Sequence, residues 1–349
     1  MTQKHIPIFY EGQDDLVDIL ATSIASICYN TKSFIDFYIL DCGLNDFNKK
    51  QLESMKHKFQ NFSIEFVPVD LSVFKGLRGW GPNMDSIDVY ARLLIPDLKP
   101  DLKKVIYLDS DMIALDDIKK LYDIDLGDYP YAATPELGCN QMIFDNCINN
   151  LGIDKNHIYP SAGMLVLNLD QIKSSEKLIN VCRDYNDKLI VYNEEIFSIA
   201  FGCNNYKRLD LRFNMADRKN LISSVNAPDI TDEYVNEEWK HVVIQHLTPT
   251  KPWKYLRTEN NQPIKNIWAF WHFAAMTPFY EGMQNRYFWY AMEQITFHAH
   301  KNKNAPFTPT IKTKIKLFNL LPFLTIKEKA NTKTYKLFGF LPLFKVKEK

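Results

Sequence analysis

Lys104-Val-Ile-Tyr-Leu-Asp109-Ser110-Asp111-Met-Ile-Ala is an apolar run that stops at two carboxylates separated by one residue. Continuous apolar runs of this length suit a strand covered on both faces, so the pattern predicts a buried strand over Val105–Leu108. An ionised carboxylate buried without a partner is costly, which puts Asp109 and Asp111 at the strand's exit. Carboxylates placed there can bind a divalent cation, because hard cations take oxygen ligands and keep open positions for phosphate. The same pair would also serve to cap the following turn. Asp-x-Asp alone does not choose between the two.

Working outward, Ile6–Phe9 predicts a first strand that empties into the polar loop Tyr10-Glu-Gly-Gln13-Asp14-Asp15. Apolar residues at 16, 17, 19, 20, 24 and 27 have helical spacing. Phe34–Leu40 and Ser63–Val69 read as further strands, with a helix over Asp46–Phe59 between them, begun by Asn45 or Asp46. Alternating strands and helices argue for an α/β fold, a mostly parallel sheet flanked by helices. A Gly/Pro-bearing loop over 76–83 then leads to a predicted helix at Tyr90–Leu94, closed by Pro96 and Pro100. Ligands of such sheets gather beyond the carboxyl ends of the strands, so the Gln13–Asp15 loop and the Asp109–Asp111 exit should open on one side.

Downstream, Leu115–Tyr122 predicts a short helix, Tyr131–Thr134 a strand, and residues 136–158 a loop-rich stretch. Ser161–Leu169 is a strong strand with small residues at its mouth, where a ligand or backbone can approach closely. A helix is expected over Ser174–Lys188, followed by Tyr192-Asn193-Glu194-Glu195, and Leu209–Asn214 looks extended. Val242–His246 is a strand that opens into Thr248-Pro249-Thr250-Lys251. Trp268–His298 is rich in aromatics and reads as helix packing.

The chain is 46% hydrophobic and 24% charged, as soluble globular proteins are, and its formal net charge is zero. That zero hides a division. Residues 310–349 hold ten lysines against Glu328 and Glu348, a balance of +8, so the remainder carries −8. The tail also repeats: Lys316-Leu-Phe318-x-x-Leu321-Pro322 returns as Lys336-Leu-Phe338-x-x-Leu341-Pro342. Apolar blocks interleaved with Lys suit attachment to an anionic membrane surface, while packing onto the body or self-association is the competing use. The tail lacks Arg and any nucleic-acid motif, so no nucleic-acid partner is expected. Six cysteines (28, 42, 139, 147, 182, 203) lie without metal-binding spacing, and Met1–Ile8 carries no signal peptide. Reduced thiols in the cytoplasm, with the chain peripheral on the inner face of the cell membrane, are therefore expected.

Asp109-Ser-Asp111, Tyr90-Ala-Arg92-Leu, Ser161-Ala-Gly163 and His246-Leu-Thr-Pro-Thr-Lys251-Pro-Trp253, in this order, resemble the bacterial members of glycosyltransferase family eight. The resemblance covers roughly residues 4–280 and implies a GT-A fold and a retaining, metal-dependent sugar transferase. It implies that Asp109, Asp111 and His246 hold Mn²⁺ (or Mg²⁺), which grips the diphosphate of a UDP-sugar donor. It further gives Lys251 to the diphosphate, Arg92 to donor sugar and phosphates, and Gln13 and Asp14 to the nucleoside. Ser110 and Ser161 fall within the same donor site. The implied acceptor is a saccharide or glycolipid such as lipopolysaccharide or lipooligosaccharide, and the donor hexose Gal or Glc. The implied domains are a GT-A catalytic domain (1–265), an aromatic helical extension (266–309) and a basic amphipathic tail (310–349).

Four departures from the family pattern stand out. Ser161 replaces an Asn, Gly12-Gln13-Asp14 replaces paired aspartates, Thr248-Pro249-Thr250 lacks a loop Gly, and Asn193-Glu194-Glu195 replaces Asp-Gln-Asp. Glu194 aligns with the family glutamine and, with Asn193, is the catalytic candidate. Retention can proceed through a covalent glycosyl-enzyme or by front-face attack, and Glu195 is the alternative carboxylate or a structural partner. Competing functions are a nucleotidyltransferase acting on sugar phosphates, which would use the same metal chemistry, and a catalytically degenerate membrane-surface scaffold.

Overall fold

The computed structural model describes residues 5–79, 86–138, 141–190, 193–217, 227–255 and 263–301, and the tail strands 312–317, 321–329, 332–337 and 341–347. Residues 80–83 of the expected loop, Cys139, Tyr192, Phe318 and Phe338 lie outside them. The chain begins with β1 (His5–Gly12), α1 (Val17–Asn30), β2 (Phe34–Asp41), α2 (Asp46–Ser54) and β3 (Phe62–Pro68). Asn45 caps α2 by accepting from the Asn48 amide. The segment expected to be an α-helix at Tyr90–Leu94 is a 3-10 helix, Ile87–Leu94, running into α3 (Ile95–Leu98). The Ile95 amide bonds three residues back to the Arg92 carbonyl, and Pro96 has no N–H to make the four-residue bond.

Next come β4 (Lys104–Leu108), β5 (Met112–Ala114), α4 (Lys119–Tyr122), β6 (Tyr131–Ala133), α5 (Gln141–Leu151), β7 (Met164–Asn168), α6 (Glu176–Asp184) and α7 (Asn193–Phe201). α5 corrects the loop-rich expectation for 136–158. Ile143, Cys147 and Leu151 recur every four residues and are buried, a helical stripe that the polar composition between them obscures. The chain continues with β8 (Lys207–Arg208), β9 (Met215–Ala216), α8 (Asp232–Glu238), β10 (Ile244–His246), α9 (Ile267–Ala274) and α10 (Tyr280–Lys301). Leu209–Asn214 is not extended throughout. Residues Leu211–Phe213 form a 3-10 turn, closed by the Phe213 amide on Asp210 and the Asn214 amide on Leu211.

The central sheet has the order β3-β2-β1-β4-β7-β6-β8. β1 is parallel to both β2 and β4, whereas β7 is antiparallel to β4. Strand order therefore reverses between β1 and β4, which opens a crevice at their carboxyl ends. Ile6, Ile8, Val105, Ile106, Leu165 and Val166 are buried in this sheet, and each such side chain stabilises the fold by about 1.5–3 kcal/mol. At the end of β1 a Cβ on Gly12 would lie 2.4 Å from Ile39 Cγ2, so no larger residue fits.

A second sheet, β5-β10-β9, stands beside the crevice. Its register pairs His246 with Met112 and with Ala216. α1 pins it in place: Ser26 Oγ accepts from the Ala114 amide at 2.8 Å, and Asn30 donates to the Ala114 carbonyl at 2.9 Å. The first turns of α10 are tied to α1 by the ion pair of Arg286 with buried Asp18.

The chain divides into two compact units, residues 1–286 and 287–349. In the second, β11 (Lys312–Leu317), β12 (Leu321–Lys329), β13 (Thr332–Leu337) and β14 (Leu341–Lys347) form an antiparallel sheet in sequence order. Each copy of the repeat is one hairpin, and even the register irregularity at Ile315/Lys316 recurs at Tyr335/Lys336. The register aligns the rows Lys312-Lys327-Thr334-Lys345 and Lys329-Thr332-Lys347, and in alternation with them Ile315-Leu324-Leu337, Thr313-Ile326-Tyr335-Phe344 and Glu328-Lys333-Val346. Among the described residues no helix is long and apolar enough to cross a membrane.

Candidate active site

β4 delivers Asp109 to the crevice, and its position is fixed by backbone: the Asp109 amide donates to the Gly163 carbonyl at 2.8 Å, just before β7. Two residues on, the Asp111 carbonyl accepts from the Leu247 amide at 2.9 Å, continuing the β5–β10 ladder. His246 closes β10 directly opposite. One ligand atom from each of Asp109, Asp111 and His246 fits within 4.8 Å of the others, all three half-buried. Two carboxylates and an imidazole are a donor set for Mn²⁺, Mg²⁺ or a similar divalent cation.

Each member of this group is held from outside. Asp109 Oδ1 takes Arg92 at 3.0 Å and the Tyr107 hydroxyl at 3.1 Å. Asp111 Oδ1 faces His246 Nε2 at 3.1 Å, and its Oδ2 pairs with Lys251. Burial pushes the Asp111 carboxyl up, but His246 and Lys251 outweigh it and hold the group far below the usual carboxylate range. Gly163 forms the floor. A Cβ there would lie 2.8 Å from His246 Cε1 and 2.9 Å from Asp109 Oδ2, filling the space between the ligand side chains. Thr248–Pro249, in the loop that carries Lys251, is a cis peptide.

Arg92 connects this end of the crevice to the other. Its guanidinium stacks 4.2 Å from the Tyr107 ring centre, and Nη1 donates to the Ala162 carbonyl at 2.8 Å. Burial pulls its pKa down, but Tyr107, Asp109, Glu11 and Glu194 more than offset that, so it stays charged. The Ala162 amide in turn donates to Glu194 Oε1 at 3.3 Å. Burial, with Glu136 adding to it, pushes Glu194 up to about 8. Asn193, the first residue of α7, donates to the Val89 carbonyl at 3.0 Å. Among the described residues, its Oδ1 and Arg92 Nε are buried polar atoms with no hydrogen-bond partner.

The other sequence-derived candidates sort clearly. Gln13 donates to the Glu11 carboxyl at the end of β1, and Ser110 Oγ donates to the Glu11 carbonyl at 3.2 Å, so both sit at the β1–β4 switch point. Asp14 receives the Asn45 amide and the Asn45 and Asn48 side chains, which ties it to the start of α2. Ser161 is buried and accepts from Asn214 Nδ2 at 3.0 Å. Glu195 is fully buried, accepting from the Ile190 amide at 2.7 Å and meeting the Cys147 thiol, which makes it a structural partner.

Three residues of the site went unnoticed in the sequence. Glu11 is pushed up to about 8 by burial, against Arg92 and with Asp88 adding to the rise. Tyr107 carries Arg92, and Asn214 Oδ1 meets His246 Nδ1 at 3.1 Å. Tyr107 sits two residues before Asp109 on the same strand, a signal that period-two placement offers. No spacing in the chain links Asn214 to His246.

A profile described as "Glycosyl transferase family 8" matches residues 7–257. General stress protein A of Bacillus subtilis is 25% identical over 251 residues, covering 70% of this chain and 83% of that protein. Glycosyltransferase GlyA of Streptococcus pneumoniae is 26% identical over 263 residues, 73% of this chain, which spans 33% of the GlyA length. Among solved structures, the galactosyltransferase LgtC in complex with donor and acceptor sugar analogues aligns with a TM-score of 0.65 at 23% identity. That alignment covers 78% of this chain and 96% of LgtC, and establishes a shared GT-A fold.

Proposed function

The chain belongs to glycosyl transferase family 8 and is a glycosyltransferase, and on that footing we propose that it transfers a hexose, Gal or Glc, with retention. The donor is a UDP-sugar, the acceptor a lipid-linked saccharide of a surface glycan, and the cofactor Mn²⁺. The observation that carries this reading is the grouping of Asp109, Asp111 and His246 beside Lys251 at the carboxyl end of β4. The cation, when bound, offsets charge on the departing diphosphate.

The chain's own residues supply the rest. Lys251, paired with Asp111 beside the ligand group, would offer a point charge to the diphosphate. Gln13 and Ser110, at the end of β1, lie where the nucleoside is expected. Arg92 Nε and Asn193 Oδ1 offer a donor and an acceptor to sugar hydroxyls or phosphate. Glu194, with its pKa raised to about 8 by burial, is mostly protonated at neutral pH and so a poor nucleophile. This favours front-face transfer, in which the leaving diphosphate takes the acceptor's proton.

Calorimetric titration of UDP with and without Mn²⁺ tests the site. Metal-dependent binding is expected, and its survival in Asp111→Ala would sink the assignment. Turnover of nucleoside triphosphate with sugar phosphate would replace it with a nucleotidyltransferase. Metal-dependent hydrolysis of one UDP-sugar among UDP-Gal, UDP-Glc, UDP-GlcNAc and UDP-GalNAc separates an active enzyme from a degenerate scaffold and names the hexose.

The tail completes the proposal as an anchor on an anionic membrane. What supports it is the tail's ten lysines against two glutamates, interleaved with apolar residues along β11–β14, each Lys near such a surface contributing about 1 kcal/mol. Full-length protein should bind phosphatidylglycerol vesicles more tightly than phosphatidylcholine ones, and serine at Lys312, Lys314, Lys327 and Lys345 should remove the difference. A preference for phosphatidylglycerol vesicles in that variant equal to that of the wild type excludes the role.

A further inference from the structure

Asn214 touches the metal-ligand group at His246, and the proposed reaction leaves it without a task. It is 5% exposed, and both ends of its amide are engaged: Oδ1 meets His246 Nδ1 at 3.1 Å, while Nδ2 donates to Ser161 Oγ at 3.0 Å. An amide oxygen only accepts, so the ring nitrogen facing it must carry the proton. His246 Nδ1 is then the N–H, and Nε2, which faces Asp111 Oδ1 at 3.1 Å, is the nitrogen turned toward the carboxylates and the one that would give its lone pair to a cation.

The backbone around Asn214 is built to hold that amide still. Its own N–H closes the 3-10 turn on the Leu211 carbonyl at 2.9 Å. The neighbouring Arg212 carbonyl accepts from the Val243 amide at 2.8 Å, which locks the turn to the chain entering β10. The Arg212 amide and Nε both bond Glu238 Oε2, at 2.9 and 3.0 Å, and Glu238 is buried. At the far end the Ser161 amide is fixed to the Thr134 carbonyl at 2.8 Å. Neither end of the Ser161–Asn214–His246 chain is free to drift.

We propose that Asn214 is a positioning residue that fixes the tautomer and direction of His246, so that Nε2 presents to a divalent cation held with Asp109 and Asp111. The inference rests on the metal assignment above and adds to it a residue outside the ligand set. It also gives Ser161 a task in this chain: its hydroxyl orients the Asn214 amide.

The test is Mn²⁺ binding, measured by titration of the full chain without nucleotide. Partners of ligating histidines are worth about 10–100-fold in metal affinity, and a loss in that range is expected for Asn214→Leu, which keeps bulk and removes the acceptor. Asn214→Asp keeps an acceptor at the same place and should bind within about threefold of wild type. An Asn214→Leu affinity within twofold of wild type, or equal losses in both variants, overturns the proposal. A long-range proton–nitrogen spectrum of histidine-labelled wild type with Mg²⁺ gives a second reading that needs no variant at position 214. His246, identified by the signal missing in His246→Gln, should be protonated at Nδ1; protonation at Nε2 overturns the proposal. If wild type and Asp111→Ala bind Mn²⁺ alike, the metal assignment fails and this inference with it. If Asp111→Ala loses binding and Asn214→Leu does not, only this inference fails.

Discussion

The two ends of the crevice are built on opposite terms. At the end made by β4, β5 and β10, every ligand side chain already has partners: Asp109 has Arg92 and Tyr107, Asp111 has Lys251, His246 has Asn214. At the end made by the start of α7, Asn193 Oδ1 and Arg92 Nε are buried with no partner among the described residues, and burial raises the Glu194 pKa to about 8. Buried polar atoms are nearly always paired, so an unpaired acceptor and donor at one end of a site point to a ligand that pairs them. The first end is preorganised before anything binds; on the proposed function the second is the one a substrate would complete.

The largest effect should come from the preorganised end. Asp111→Ala removes the carboxylate on which His246 and Lys251 converge, and Mn²⁺-dependent UDP binding should fall at least about a hundredfold by calorimetry. Gly163→Ala is next. Its methyl would meet His246 Cε1 and Asp109 Oδ2 inside normal contact distance, and overpacking of this kind costs about 1–3 kcal/mol. The melting temperature should drop by several degrees and Mn²⁺ affinity by about tenfold, since the methyl pushes two ligands apart. A folded variant with wild-type metal affinity would show that the floor is not part of the site.

How much of this could be read in advance follows the same division. The Asp109 strand, the alternating first third and the His246 strand exit were legible because short-range periodicity and strand-end chemistry announce them. Ser161-Ala-Gly163 was legible as a close approach, though what approaches is the site's own His246 and Asp109. Asp14, expected at the nucleoside, also ties the first loop to α2, a contact set by Asn45 and Asn48 about thirty residues away and invisible in local pattern. Asn214 was hidden for the same reason: its meaning comes from a turn closed against β10 and from Glu238, contacts with no signature in local pattern. Helix α5 was hidden differently, its buried stripe of Ile143, Cys147 and Leu151 thinned by the Asn and Asp around it.

The substrate-completed end gives smaller effects. Asn193→Leu keeps the volume and loses the unpartnered Oδ1, together with the bond to Val89. If donor sugar pairs that oxygen, KM for the UDP-sugar should rise about fivefold to tenfold, the worth of one hydrogen bond, with Mn²⁺ affinity unchanged. A change in metal affinity instead would mean that the two ends are one unit.

Glu194→Gln makes the last and smallest test, and it bears on stability rather than binding. The folded-state pKa of about 8 lies above the ordinary 4.5, chiefly because burial disfavours the charged form. Between these two values the unfolded chain has released the proton and the folded chain keeps it, so the folded state loses stability as pH rises through that window. Gln cannot ionise and carries no such loss. The melting temperature of the variant relative to wild type should therefore climb from pH 5 to pH 8 by a few degrees. A flat difference across that range would mean that Glu194 is ionised at neutral pH, which would return it to contention as a nucleophile and weaken the case for front-face transfer.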